Sequence, residues 1–229
     1  DSFNALLNTN PRKLIGSIRV HFEGESGYDI GGLTSEWFSM VTKEIFDPKY
    51  GLFISNENNC YHPNQLSYFN SNHIDYFKLA GKIVALSLLH DRNINAHLSM
   101  AFYRQILQQR IKLKDLEDFD HSLFESFGSI LNIDDVKDLD LVFQIDDDVF
   151  GEFTSIDLIE NGSNIQVTND NRMDYVSAYV NYKLRKSVIG QINAFCDSFN
   201  EIIPQEFIRM FSPSELDMLI CGVHHIDLE

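Results

Sequence analysis

Residues 139–167 read LDLVFQIDDDVFGEFTSIDLIENGSNIQV, and this stretch determines the expected fold class. Apolar residues alternate with other residues at its start, which predicts a strand over Leu139–Ile145. A second strand is predicted over about Phe150–Ile159 and a third over Ile165–Val167. Asn161-Gly162, between the last two, is the strongest short hairpin signal in the chain. We therefore expect a short antiparallel β-meander here.

Helical patterns dominate the chain on both sides of this stretch. Apolar residues recur at helical spacing in several segments, namely Leu33–Ile45, His73–His90, Asn95–Gln108, Ser122–Leu131 and Asp170–Phe199, the last broken near Gly190. A final helix is predicted after Ser212, with Glu215 completing a capping box and Gly222 as its stop. Residues 55–72 are rich in Asn and favour an irregular loop. The expected fold is α+β and mostly helical, with the meander in a smaller subdomain.

Composition and charge narrow the classes of partner. The chain has 229 residues, 44% hydrophobic, with a net charge of −16 and a pI near 4.7. This acidity argues against nucleic acid and against an anionic membrane surface. It either favours a basic protein partner or simply keeps the chain in solution. The three cysteines are widely spaced, which favours reduced thiols and a cytoplasmic location, with the nucleus as a second compartment.

Several motifs could carry chemistry, but none has the required spacing. The loop Gly24–Gly32 matches neither a dinucleotide fingerprint nor a phosphate-binding loop. The acidic turns at Asp146–Asp148 and Asn169–Asn171 lack the glycine and trailing glutamate of a calcium loop. His224 and His225 are adjacent and cannot face one site. We therefore predict no metal, no cofactor and no catalytic residue.

The predicted long helix after Thr168 has two apolar faces. Met173, Val176, Val180 and Leu184 form the expected core stripe, whereas a second stripe consists of tyrosines, namely Tyr175, Tyr179 and Tyr182. Either both faces are buried inside the protein or the tyrosine face is a docking surface. The docking hypothesis requires those rings to be open to solvent.

Recognisable blocks follow one another along nearly the whole chain. They are FEGESGYDIGG (22–32) with EWF (36–38), FDP (46–48) with YGLF (50–53), YFKLAGKIV (76–84), LDLVF (139–143), ENG (160–162), VTN (167–169), and EL (215–216) with LICG (219–222). In this order they resemble the HECT domain of ubiquitin-protein ligases, specifically its amino-terminal lobe. Two positions depart from the family's usual arginine, Ser35 and Lys82, and a lysine cannot form a bidentate fork.

The resemblance implies a division of the chain and a mechanism. A large helical subdomain would comprise about 1–118 and 186–222, a conjugating-enzyme-binding subdomain about 119–185, and 223–229 would begin the hinge to a second lobe. Family members take ubiquitin from a conjugating enzyme onto their own cysteine as a thioester and pass it to a substrate lysine. That cysteine belongs to the carboxy-terminal lobe, so this chain alone is expected to be inactive.

The resemblance also implies site residues. The conjugating-enzyme groove would consist of seven residues, namely Leu123, Ser126, Phe127, Ile133, Leu141, Tyr175 and Tyr179. A weak ubiquitin exosite would consist of Phe69, Tyr76 and Phe150, and the hinge would begin at Cys221 and Gly222. Expected partners are a ubiquitin-conjugating enzyme, ubiquitin, and protein substrates bound by regions outside this chain. The alternative from another class of function is a non-enzymatic interaction scaffold or degenerate HECT-like module. A third hypothesis, a hydrolase that uses acidic residues, is supported by no set of catalytic residues in the sequence.

Overall fold

The computed structural model describes residues 2–16, 18, 20–22, 32–56, 59–149 and 152–222. The chain divides into two compact units. The first unit contains the chain up to Gln109 together with the chain from Ile189 onward, and the second unit is Arg110–Val188. The glycine-dense loop before Gly32 lies outside the described residues.

The structure is mostly helical, with short strands in both units. Its helices are α1 (Ser2–Asn8), α2 (Pro11–Leu14), α3 (Gly32–Ile45), α4 (His73–Leu89), α5 (Met100–Ile106), α6 (His121–Asn132), α7 (Arg172–Leu184), α8 (Ile189–Asn200), α9 (Gln205–Ile208) and α10 (Pro213–Cys221). Its strands are β1 (Phe53–Ser55), β2 (Cys60–Pro63), β3 (His97–Leu98), β4 (Gln144–Val149) and β5 (Glu152–Asp157). The predicted α+β class is confirmed.

The core of the first unit is built on the close packing of α4 against α8. A Cβ placed on Gly81 of α4 would lie 2.2 Å from the carbonyl oxygen of Phe195 in α8. Only glycine allows the two helix backbones to approach this closely. Phe77, Ile83 and Phe199 are among the side chains buried in this core.

A three-stranded sheet in the first unit corrects the prediction of an irregular loop over 55–72. β2 pairs antiparallel with β1 and parallel with β3, and a 3-10 turn follows at Gln65–Phe69. The asparagines that suggested a loop occupy the turns, since Asn59 has φ 54° and Asn64 caps the 3-10 turn. The strand between them was missed because one of its two partners, β3, comes from a distant part of the chain.

The meander of the second unit consists of one hairpin and one bridge. β4 and β5 pair antiparallel from Gln144↔Asp157 to Val149↔Glu152. The prediction that the first strand begins at Leu139 was wrong, because a 3-10 turn covers Val136–Leu139 and Asp140 adopts φ 48°. The predicted third strand is reduced to an isolated antiparallel bridge between Val142 and Gln166. Residues 150 and 151, which join the two strands, lie outside the described residues.

Asn161-Gly162 has a different role from the predicted hairpin turn. Asn161 adopts a left-handed conformation and precedes a 3-10 turn at Gly162–Asn164. A Cβ on Gly162 would lie 2.1 Å from the carbonyl oxygen of Phe143, which itself accepts a hydrogen bond of 2.8 Å from the Leu158 N–H. The glycine is needed because another segment of backbone passes against it.

The predicted helix Asp170–Phe199 is two helices, α7 and α8. The break begins at Arg185, with φ −137° and ψ −60°, and α8 begins at Ile189, so the observed break directly precedes Gly190, near which it was predicted. Thr168 is not the N-cap, as predicted, because α7 begins after Asn171. The Thr168 carbonyl instead accepts hydrogen bonds from the N–H groups of Asn171 and Arg172.

The start and end of α10 confirm the prediction from sequence. The Ser212 N–H donates to the Glu215 carboxylate at 2.7 Å, and the Glu215 N–H donates to the Ser212 hydroxyl at 3.3 Å. The helix ends at Gly222, whose φ of 85° favours glycine. Among the helices of the described residues, none has both the length and the apolar character needed to cross a membrane.

Candidate functional site

Helix α6 presents one side of the predicted groove. The Asp120 carboxylate caps it by accepting a hydrogen bond from the Leu123 N–H at 3.1 Å. Leu123 and Phe127 are four residues apart and therefore lie on the same face. The Ser126 hydroxyl donates to the carbonyl of Ser122 at 2.8 Å, which occupies it within its own helix.

Helix α7 brings two tyrosines against rings from other elements. The Phe127 and Tyr179 rings meet edge to face, with centroids 5.0 Å apart. Tyr175 lies edge to face against Phe143 at 5.5 Å and 6.1 Å from Tyr179. These four residues, Phe127, Phe143, Tyr175 and Tyr179, are the ring cluster. Phe143 was not among the predicted site residues, although sequence analysis had placed it on an apolar strand face.

Exposure divides the predicted groove into a floor and a rim. Phe127 is only 2% exposed and Tyr175 only 5%, so the chain's own atoms cover both rings. These two residues are the floor. The expectation that the tyrosine rings would be open to solvent is therefore wrong for Tyr175, which is buried like Val176 beside it, whereas Tyr179 and Tyr182 keep part of their surface exposed. The rim consists of partly or fully exposed side chains, namely Leu123, Ser126, Ile133, Leu141 and Tyr179. Met173, predicted for the core stripe, is 61% exposed.

Hydrogen bonds hold the segments that carry Ile133 and Leu141. Arg172, at the start of α7, donates from Nη1 to the Ile133 carbonyl at 2.7 Å. The Leu141 carbonyl accepts from the Val167 N–H at 2.8 Å. The backbone at Ile133 is thus bonded to the first residue of α7, and the backbone at Leu141 is bonded to the segment just before α7. Helix α7 also carries Tyr175 and Tyr179.

The tyrosine side of α7 lies in an acidic environment. Burial and the carboxylates of Asp120 and Asp147 raise the pKa of Tyr179, so its hydroxyl stays protonated. Tyr182 donates to Asp147 Oδ2 at 3.2 Å, and burial together with this carboxylate raises the pKa of Tyr182 to about 12. Tyr182 was noticed in the sequence stripe but not assigned to the groove, because its role depends on a carboxylate from β4.

The predicted ubiquitin exosite is only partly described. Phe69 is 61% exposed and pairs with Tyr68, their ring centroids 4.4 Å apart. Tyr76 is half-buried against Phe3, at 4.9 Å between centroids. It also lines a cavity of about 390 Å³ together with Phe3, Val41, Glu44, Ile45, Tyr50, Leu52 and Leu79. Phe150 lies outside the described residues.

The three cysteines differ in burial, and Cys221 has a perturbed thiol pKa. Cys60 is buried in β2, and Cys196 lies within α8. Burial and the carboxylate of Asp217 raise the pKa of the Cys221 thiol to about 12. A nucleophilic cysteine needs the opposite, a lowered pKa. Cys221 and Gly222, predicted as the hinge, are the last residue of α10 and its C-cap.

Comparison with known proteins agrees with the resemblance found in the sequence. A family model described as HECT-domain (ubiquitin-transferase) matches residues 39–229. The chain belongs to the HECT-domain family. Among similar HECT proteins, the E3 ubiquitin-protein ligase TOM1-like of Neurospora crassa is 40% identical over 100% of this chain, which covers 6% of that protein.

Two further relatives carry comparable names. The E3 ubiquitin-protein ligase pub1 of Schizosaccharomyces pombe is 38% identical and RSP5 of Saccharomyces cerevisiae is 36% identical, each over 100% of this chain. The chain covers 30% of the first protein and 29% of the second. It therefore spans less than a third of the length of these HECT relatives.

Proposed function

We propose that this chain recruits a ubiquitin-conjugating enzyme for a HECT-type ligase. The parent protein would accept ubiquitin as a cysteine thioester and pass it to substrate lysines. One observation carries the proposal: in the second unit, the buried Phe127 ring packs edge to face at 5.0 Å against Tyr179, which keeps part of its surface exposed. Membership of the HECT family and the names of the relatives support the same role.

The floor and rim suit an apolar anchor from a partner. Phe127 and Tyr175 are already packed by the chain, so binding does not have to order them. Tyr179 and Leu123 retain exposed surface that a phenylalanine or leucine side chain would cover. Tyrosine is enriched among residues that contribute most to binding energy, particularly when the partner buries its ring.

The negative charge around Tyr179 indicates which kind of partner surface would bind there. The carboxylates of Asp120 and Asp147 act on Tyr179, and acidic residues outnumber basic ones about two to one in the second unit. A partner surface with Lys or Arg beside its apolar anchor would be steered to this site and held in register. We therefore propose a conjugating enzyme with a basic rim around the anchoring loop.

The thioester is assigned to a cysteine elsewhere in the parent protein. Its thiolate would attack the thioester carbonyl that joins ubiquitin to the conjugating enzyme, and the enzyme's thiolate would leave. The amine of a substrate lysine would then attack the new thioester, release the ligase thiolate and lose a proton. Cys221 is a poor candidate for this step because its thiol pKa is raised to about 12.

This chain would also bind ubiquitin itself, at a second site. The exposed pair Tyr68 and Phe69 presents aromatic surface in the first unit, whereas Tyr76 is largely occupied by internal packing. We propose Phe69 as the principal contact of a weak ubiquitin site. Phe69→Ala should weaken binding of free ubiquitin and leave binding of the conjugating enzyme unchanged; unchanged ubiquitin binding would contradict the assignment.

The recruiting role is tested by titrating the chain with a panel of conjugating enzymes, each free and loaded with ubiquitin. We expect saturable binding of at least one member, weakened in Leu123→Ala and unchanged in Met173→Ala. Failure of every member to bind would overturn the proposal. If the intact parent binds a conjugating enzyme but forms no thioester, the scaffold alternative replaces the ligase role.

A further inference from the structure

Three potential metal ligands meet in the first unit. His97 comes from β3, while Asp217 and Cys221 are one turn apart on α10. His97 Nδ1 lies 3.0 Å from Asp217 Oδ1, and the ligand atoms of all three residues lie within 4.8 Å of one another. Among the described residues they form the one such cluster of histidine, cysteine and carboxylate groups.

We propose that His97, Asp217 and Cys221 form a binding site for one divalent cation of the zinc class. Zinc is bound in proteins by imidazole nitrogen, thiolate sulfur and carboxylate oxygen, and this cluster offers one of each. Three protein ligands leave a fourth position for water. The proposal is independent of the recruiting role, since the two concern different units of the chain.

A neighbouring hydroxyl group holds the Asp217 carboxylate in place. The Tyr103 hydroxyl donates to Asp217 Oδ1 at 2.7 Å and lies 3.7 Å from Cys221 Sγ. Burial comes first among the causes that raise the Tyr103 pKa, so this hydroxyl remains a donor. A hydrogen bond to a ligating carboxylate fixes its orientation and increases metal affinity.

Small movements would convert the cluster into a coordination sphere. Ligand atoms around a tetrahedral zinc ion are roughly 3.3–3.6 Å apart. The His97–Asp217 separation of 3.0 Å is already close to this value. Cys221 Sγ would give up its hydrogen bond of 3.4 Å to the Ala96 carbonyl and turn toward the ion. His97 and Cys221 are both partly exposed, which leaves a route for the ion.

Binding requires that the ligands lose protons. The Cys221 thiol would release its proton to solvent as the sulfur–metal bond forms. Without the ion, His97 Nδ1 donates to Asp217 Oδ1; to coordinate through its lone pair, Nδ1 would release this proton to solvent while Nε2 takes up a proton from solvent. We therefore expect the neutral-histidine form to release about one proton for each ion bound.

The ion would attach α10 to β3 directly before Gly222. Asp217 and Cys221 belong to the helix and His97 to the strand, so coordination would add a link between the two. A ligand that binds only the folded state raises its stability by mass action. Zinc should therefore raise the melting temperature of the chain.

Cobalt is a suitable first probe because thiolate coordination produces a charge-transfer absorption. We expect the reduced chain to bind one Co²⁺, which Zn²⁺ displaces, with a thiolate band that disappears in Cys221→Ser. His97→Gln should weaken binding by about tenfold or more. Cys196→Ser is the matched control and should retain both the band and the affinity.

Two further measurements test whether other histidines bind the metal and whether the cluster is only a hydrogen-bonded network. Replacing His224 and His225 together by alanine should leave binding unchanged, and Zn²⁺ should raise the melting temperature of the wild type but not of Cys221→Ser. Absence of saturable binding would overturn the proposal and leave a hydrogen-bonded network around Asp217. Loss of binding on removal of His224 and His225 would overturn it as well.

Discussion

Phe127 and Tyr179 meet edge to face with ring centroids 5.0 Å apart, yet Phe127 is 2% exposed and Tyr179 remains partly open. The first ring belongs to the core of the second unit, and the second is the ring that we propose contacts the conjugating enzyme. Substitutions at the two positions should therefore report different properties, namely the stability of the unit and its affinity for a partner.

Tyr179→Ala should weaken binding of the conjugating enzyme by about 2 kcal/mol, which corresponds to roughly 30-fold in Kd, because a partly exposed aromatic anchor is lost. The loss should appear in isothermal titration calorimetry with little change in the circular dichroism spectrum. Met173→Ala is the control, since Met173 is an exposed apolar side chain on the same helix. Equal affinities of the two variants would remove Tyr179 from the site.

Phe127→Ala should instead lower the free energy of unfolding by about 3–5 kcal/mol, as expected for a large aromatic ring removed from a core. Chemical denaturation of the second unit measures this cost. A variant that loses partner binding while keeping wild-type stability would show that the Phe127 ring is a contact residue and not part of the floor.

Asp120→Asn should reduce the salt dependence of partner binding. An asparagine can still cap α6 at the Leu123 N–H, so the substitution removes charge and keeps the cap. Association rates measured between low and physiological salt should fall less steeply in the variant than in the wild type. Identical salt dependence would show that the Asp120 charge plays no part in steering.

Gly162→Ala should destabilise the second unit by about 1–3 kcal/mol, because the added methyl group would overlap the backbone of Phe143. Gly128→Ala in α6 is the matched control. A Cβ there meets no atom within 4 Å, so this variant should gain about 0.5–1 kcal/mol from the better helix propensity of alanine. Equilibrium denaturation distinguishes the two, and a neutral Gly162→Ala would contradict the close approach.

Lys82→Met should destabilise the first unit by about 1–3 kcal/mol, since it leaves buried acceptors unpaired. Lys82 is buried, and its Nζ donates to the carbonyls of Leu6 and Leu7 at 3.3 and 3.4 Å and lies 3.4 Å from the Glu201 carboxylate. Faster proteolysis near α1 should accompany the loss.

Lys78→Met, on the same helix, provides the comparison for Lys82. Its ammonium pairs with Asp75 at 2.8 Å on the surface, so we expect a change below about 0.5 kcal/mol. A cost at Lys82 no larger than this would show that its buried contacts contribute little.

Glu215→Gln should change how stability responds to acid. The hydrogen bonds from the Ser212 N–H and hydroxyl lower the pKa of Glu215 from its ordinary value of 4.5. A lowered folded-state pKa means that the carboxylate stabilises the fold above pH 4.5 and that this contribution is lost as the pH falls further. The difference in melting temperature between wild type and variant should therefore shrink below pH 4.5; a constant difference would exclude the linkage.

Local signals in the sequence correctly predicted the ends of α10 and the apolar character of α4. Ser212, Glu215 and Gly222 act through hydrogen bonds and dihedral angles within a few residues, so their positions in sequence suffice. The family was likewise recognisable from short blocks in a fixed order. The two faces of α7 also followed from spacing, because helical periodicity places Tyr175 and Val176 on different sides.

The ends of β4 and the exact start of the break between α7 and α8 could not be predicted from local signals. Asp140 adopts a left-handed conformation and Arg185 departs from helical dihedral angles, and apolar periodicity indicates neither; β2 has strand partners on either side that local propensity does not reveal. Asn161-Gly162 was mistaken for a hairpin because the same glycine also permits close approach of the Phe143 backbone.

The sequence alone determined the family, the mostly helical class and the tyrosine face of α7, because composition, periodicity and short motifs are properties of neighbouring residues. Only the tertiary structure decided that Tyr175 and Phe127 are covered while Tyr179 and Leu123 keep exposed surface. It also brought His97 to Asp217 and Cys221. The exposure of a side chain and its contacts with residues far along the chain depend on which distant segments pack against it. No local sequence pattern encodes that packing.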